Sequence, residues 1–149
     1  MATQLQLRKG TTSDNDSFIG AEGELTYDTE TKGLRIHDGV KQGGNLIDTV
    51  IDFQLPTAEN NYTWYRLYSS GWVEQGVIGV QIGTSVYTFN LPITMASSTY
   101  EVLTSVNDAL NTTAMSAKVW AKTTTSVQVR CTYQSGSISG DIRVSGIAA

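Results

Sequence analysis

Cysteine, proline, histidine and charge are all scarce in this 149-residue chain. The single cysteine, Cys131, excludes an intramolecular disulfide and a cysteine-rich zinc site. With one histidine as well, catalytic triads and zinc-water chemistry have no support, and the 14 acidic residues do not say which two could pair as a glycosidase. The expectation is a protein that is not an enzyme and has no metal and no cofactor. Charged residues make up 16% of the chain, against about 25% in an average soluble domain. Surface polarity must therefore come from hydroxyls, amides and backbone, and 20 Thr and 14 Ser supply it. Thr, Ser and Gly rank low in helix propensity, which argues against a coiled coil or helical bundle. No stretch approaches the roughly 20 apolar residues of a membrane helix, so membrane insertion is not expected. Met1-Ala2-Thr3-Gln4 has neither the basic nor the apolar region of a signal peptide, so synthesis as a soluble protein in the cytoplasm is expected. The net charge is −4 and the longest basic cluster is Arg8-Lys9, which gives nucleic acid no basic stripe to bind.

What is present is alternation. Leu5/Leu7, Leu25/Tyr27, Leu34/Ile36, Val80/Ile82, Tyr87/Phe89/Leu91/Ile93, Tyr100/Val102/Thr104/Val106, Met115/Ala117/Val119/Ala121, Val127/Val129/Cys131/Tyr133 and Ile142/Val144 each recur with period two. Such short β-branched and aromatic runs, many separated by turn residues, predict an all-β protein of antiparallel hairpins. Cys131 falls on the inward side of its run and reads as a small buried apolar residue. One helical turn is expected near Ser13–Ile19, after good N-cap residues. The Pro, Asn and Glu content of 54–61 marks a connector. This gives a small N-terminal module at 1–48, a linker at 49–62 and a sandwich-like module at 63–149. A module of that first size rarely buries enough surface to fold alone without disulfides, metals or partners, which predicts homo-oligomerisation.

Several motifs read as structure. Asp14-Asn15-Asp16 lacks the central Gly and closing Glu of a calcium loop and suits a helix cap. His37 and Asp38, adjacent on a strand, point to opposite faces, and Asp38-Gly39 suits a tight turn. The sequons at Asn61 and Asn111 carry little meaning without a secretory signal. The hairpin from Trp64 to Gly76 places Trp64 and Trp72 in a core by preference, with a sugar-stacking platform as the other reading. Trp120, between Lys118 and Lys122, is balanced between the two.

Two passages resemble known phage modules. The ordered pieces from Arg8-Lys9-Gly10-Thr11-Thr12 through Phe18-Ile19-Gly20, Gly23-Glu24-Leu25-Thr26-Tyr27-Asp28-Thr29, Leu34-Arg35-Ile36-His37-Asp38-Gly39 and Gly43-Gly44 are similar to the N-terminal module of phage tail fibres and the major tropism determinant. From Trp64, Gly71-Trp72-Val73-Glu74-Gln75-Gly76, then Leu91-Pro92-Ile93-Thr94-Met95 and Tyr100-Glu101-Val102, resembles the C-terminal knob of phage tail fibres. The closing 140–147 segment lacks the aromatics usual in that knob. These resemblances imply an all-β homotrimer: a small intertwined β-rich N-terminal module and an antiparallel β-sandwich knob. The first would attach to a virion tail or baseplate protein and the second would bind a bacterial surface glycan for host attachment. A virion collar or decoration trimer without receptor binding is the alternative. Sugar contacts are expected in the loops 107–113 and 134–139, at Asn107, Asp108, Asn111, Gln134 and Ser137, with Trp120 and Tyr133 as stacking residues. Trp64, Gly71, Trp72, Glu74, Gln75, Gly76, His37, Asp38 and Gly39 are expected to be structural.

Overall fold

The structure, a computed structural model, describes residues 6–83, 85–107, 117–131 and 138–149, with Asn107 and Ile138 described by their backbones alone. Strands dominate, as the alternation predicts. The chain divides into two compact units, residues 1–51 with 68–70, and residues 52–67 with 71–149.

In the first unit the chain runs β1 (Arg8–Gly10), α1 (Thr12–Ser17), β2 (Leu25–Asp28), β3 (Leu34–Ile36) and β4 (Asn45–Ile47). The four strands form one sheet in sequence order. β2–β3 and β3–β4 are antiparallel, but β1 pairs with β2 in parallel. This corrects the expectation of hairpins throughout. Parallel neighbours need a crossover, and the segment carrying α1 supplies it. Asp14 belongs to the cap of that helix. The Thr11 hydroxyl accepts from the Asp14 N–H at 3.2 Å, and the Asp14 carboxylate accepts from the Thr11 N–H at 3.0 Å. The buried side chains of this unit are polar: Asn15, Thr26, Asp28, His37 and Ser69. Among its described residues no large aliphatic side chain is fully buried, and Val40 is 81% exposed.

Strand β5 (Val50–Gln54) lies in the stretch 49–62 read from sequence as a connector. It is followed by β6 (Thr63–Tyr68), β7 (Trp72–Ile82), β8 (Tyr87–Asn90), β9 (Glu101–Asn107), β10 (Ala117–Lys122), β11 (Ser126–Cys131) and β12 (Ile138–Ile147). They make a five-stranded sheet, β5-β6-β7-β12-β9, and a three-stranded sheet, β10-β11-β8. One core joins the two: Val73, Val77, Ile142 and Val144 from the first pack with Phe89, Val127, Val129 and Cys131 from the second. Two sheets sharing one apolar interior are a sandwich. Cys131 is a free, buried thiol in that interior.

Two bulges interrupt the ladders. On β10, Val119 faces Val129 and Ala121 faces Gln128, so Trp120 is the extra residue. On β7, Ile78 and Gly79 stand opposite Asp141 of β12. The Asp141 carboxylate accepts from the Gly79 N–H at 2.9 Å and the Ser105 hydroxyl at 3.0 Å, tying three strands together at the irregularity.

Candidate functional site

The distinctive 71–76 segment is explained residue by residue by the sandwich. Gly71 turns the hairpin at φ +81°. Trp72, expected in the core by preference, is 40% exposed, because Val73 takes the inward position and strand residues alternate faces. Glu74 points outward and pairs with Arg143. Gln75 is wholly buried, where its amide donates to the Ile93 carbonyl and accepts from the Ile93 N–H, both at 2.8 Å. A side chain thus replaces a strand partner for the Leu91-Pro92-Ile93 step. At Gly76 a Cβ would lie 2.3 Å from the Ile142 carbonyl oxygen and 3.0 Å from the indole nitrogen of half-buried Trp64. The glycine lets Trp64 lie over the backbone.

In the first unit His37 is 2% exposed. Its Nδ1 accepts from the Gly20 N–H at 3.2 Å, which leaves the ring proton on Nε2 to donate to the Thr26 hydroxyl at 3.1 Å. Phe18 packs edge-on against the ring at 5.2 Å. Every polar atom of the imidazole is used inside the fold. The Asp38 carboxylate accepts from the N–H groups of Lys41 at 2.7 Å and Val40 at 3.0 Å, and Gly39 has φ +80°. Those backbone donors hold the Asp38 carboxyl below the ordinary carboxylate range. The pair builds a turn, and the two side chains have separate partners.

Among the candidate receptor contacts, Trp120 is the one whose side chain is described, and it is 52% exposed on the outer face of the three-stranded sheet. Asp108, Asn111, Tyr133, Gln134 and Ser137 lie outside the described residues, and Asn107 ends β9 with its backbone alone described. The Arg130 guanidinium rests 3.9 Å from the centre of the Trp120 ring. That contact was missed in the sequence, since it depends on the register of β10 against β11 and on the bulge. A separate groove of about 250 Å³ runs over Phe53, Leu55, Trp64, Ile78 and the Glu74–Arg143 pair, on the outer face of the other sheet. Arg66 also lines it, so the groove sets two arginines against one glutamate, whereas the Trp120 face combines an exposed ring with cations on strands that carry no acid. Among the described residues no cluster of three metal-ligating side chains occurs, and no helix is long and apolar enough to cross a membrane.

Residues 5–41 match the family model of the Major tropism determinant N-terminal domain. The N-terminal unit is tropism-determinant-like. Over 44 residues the chain is 43% identical to the tail fiber receptor-binding protein of Bordetella phage BPP-1, an overlap covering 30% of this chain and 12% of that protein. The chain thus corresponds to a small part of that relative's length. Among solved structures, the P3c variant of the Major Tropism Determinant is 27% identical, covering 42% of this chain and 20% of its own, with a TM-score of 0.28. The P. aeruginosa R2 pyocin fibre, in a structure of its C-terminal residues 323–691, aligns over 97% of this chain and 37% of its own at a TM-score of 0.55. At 14% identity that is a likeness of fold. The tropism-determinant-like match takes in His37 but stops before β4, so the buried imidazole and its partners Thr26 and Gly20 all fall within it.

Proposed function

We propose that this chain is a short phage or prophage tail-fibre protein of the virion that binds a bacterial surface glycan for host attachment. Residues 1–48 dock on a virion tail or baseplate protein, residues 63–149 carry receptor binding, and the working unit is a homotrimer. The match of residues 5–41 to the tropism-determinant N-terminal domain carries this reading, because the related tail fiber protein is a receptor-binding protein. A sugar suits the second unit: a ring exposed among hydroxyls and amides can bury the C–H face of a pyranose while neighbouring polar groups meet its hydroxyls. Trp120, exposed on the outer face of the three-stranded sheet, is the described residue available for that role. Three equivalent sites in one trimer would turn weak single contacts into avidity.

The test is labelled full-length protein applied to a panel of bacterial strains before and after surface treatment. Periodate, which cleaves sugar diols, is expected to abolish labelling, and protease to leave it intact. Trp120→Ala should reduce labelling about tenfold, on the scale of losing a stacked ring. Labelling removed by protease and spared by periodate would replace the glycan with a protein receptor. Protein that labels no strain yet incorporates into tails would instead fit a collar or decoration trimer.

A further inference from the structure

Resting on the glycan reading, the Trp120 face points to a narrower ligand class. We infer that the outer face of the three-stranded sheet binds an anionic saccharide, one that bears carboxylate or phosphate groups, with Arg130 and Lys118 as the recognising cations.

Charge distribution is the first support. The chain holds 14 acidic and 10 basic residues, yet strands β8, β10 and β11 contain Lys118, Lys122 and Arg130 and no acid. A net negative protein has gathered an acid-free cationic sheet. Register is the second. Lys118 and Arg130 are directly opposite across the β10–β11 ladder. Like charges in that position destabilise a sheet unless something neutralises them. Neither side chain makes an ion pair or hydrogen bond with a described residue, whereas Arg8, Arg35 and Arg143 all meet carboxylates. Lys122 is occupied differently, since its Nζ donates to the Tyr100 carbonyl at 2.8 Å. Among the described residues, Lys118 and Arg130 are therefore the facing cations without a carboxylate partner, and Arg130 lies against the exposed ring.

Geometry is the third. The Arg130 guanidinium carbon lies 3.9 Å from the Trp120 ring centre, and a guanidinium held over an aromatic ring can still offer its planar fork of N–H groups to two oxygens. The same contact restrains both side chains before any ligand arrives, which lowers the ordering cost of binding. Thr88 and Gln128, cross-strand partners on the same face, add neutral groups for sugar hydroxyls. A neutral sugar could accept hydrogen bonds from both cations but would bring no charge to offset their facing pair. A nucleic acid would need a longer basic track and would be repelled by the remaining surface of a −4 chain.

The experiment is an array of acidic bacterial polysaccharides beside the same polymers after carboxyl reduction or dephosphorylation, probed with the full chain. Acidic members are expected to bind and their neutralised forms to lose the signal, with affinity falling as salt rises. Arg130→Gln and Lys118→Gln should each weaken binding roughly tenfold or more, with Arg130→Lys intermediate, the scale of a charge-assisted hydrogen bond. Thermal melts overlaid on the parent would separate lost recognition from lost folding, and the polymer comparison needs no variant at all. Binding that survives neutralisation of the polymer and Arg130→Gln would overturn the anionic class and leave the glycan reading standing. Single-stranded DNA captured as strongly as the acidic polymers would overturn it too, as a generic polyanion patch. Silence across every glycan would remove both this inference and the reading beneath it.

Discussion

Gly76 and Gly79, three residues apart on β7, are glycines for different reasons, and substitution should separate them. Gly76 lacks room: an added methyl would press on the Ile142 carbonyl and the Trp64 indole. Gly79 has open space around its missing Cβ but holds φ at +69°, a region that costs an L-residue roughly 1–2 kcal/mol. Gly79→Ala is therefore expected to lower unfolding free energy by about 1 kcal/mol with binding intact. Gly76→Ala should cost more, about 3 kcal/mol, because backbone must move to admit it. Urea titration of both variants checks the order, and a Gly79 variant less stable than the Gly76 variant would reverse the argument. Gln75→Leu is a third case. It keeps the volume but leaves the Ile93 N–H and carbonyl unpaired in the interior, for an expected loss of about 2 kcal/mol or more in the same titration.

Among the elements, the turn after β2 gives a pH prediction. Burial alone would push the Asp28 carboxyl upward, but the N–H groups of Thr31 and Glu30 and the Thr12 hydroxyl outweigh it and hold it below the ordinary carboxylate value. Arg35 adds a contact at 3.4 Å. A depressed folded value stabilises the fold above the unfolded carboxylate range, and that stability is lost as pH falls through the folded value. The melting temperature should thus drop below about pH 4, and Asp28→Asn should be less stable at pH 7 with a flatter acid limb. Thermal melts from pH 7 to pH 2 measure both. Elements also show what the sequence discloses. Val127, Val129 and Cys131 were legible because one face of β11 meets the core and the other meets water. β4 and β5 were not, since Asn45–Ile47 is exposed on both faces and Val50–Gln54 nearly so, and nothing selects for alternation. The parallel β1–β2 pair follows from a crossover that local pattern does not encode. Of the candidate site, Trp120 was legible as a ring among polar residues, while its bulge and its Arg130 partner needed the register of a second strand.

For the molecule as a whole, the two units differ in what they bury. The sandwich has an apolar core, whereas the tropism-determinant-like unit buries a histidine, an aspartate, an asparagine, a threonine and a serine. Several of its aliphatic side chains are exposed, with Ile19 at 53%, Leu46 at 44% and Val50 at 46%. The proposed trimer would let such a unit gain hydrophobic stabilisation by covering these side chains. Light scattering at micromolar concentration is expected to give three times the 16.1 kDa chain mass. If the exposed Leu46 lies in the proposed trimer's contact, Leu46→Glu should shift that mass toward the monomer, and a folded parent monomer would refute the trimer. The lone thiol gives a way to follow such events without engineering. Cys131 is 4% exposed in the sandwich, and no other sulfhydryl competes for reagent. Alkylation of the native chain is therefore a clock with one hand, ticking only when the sandwich opens, and its rate against that of the denatured chain reads out how often the sandwich breathes.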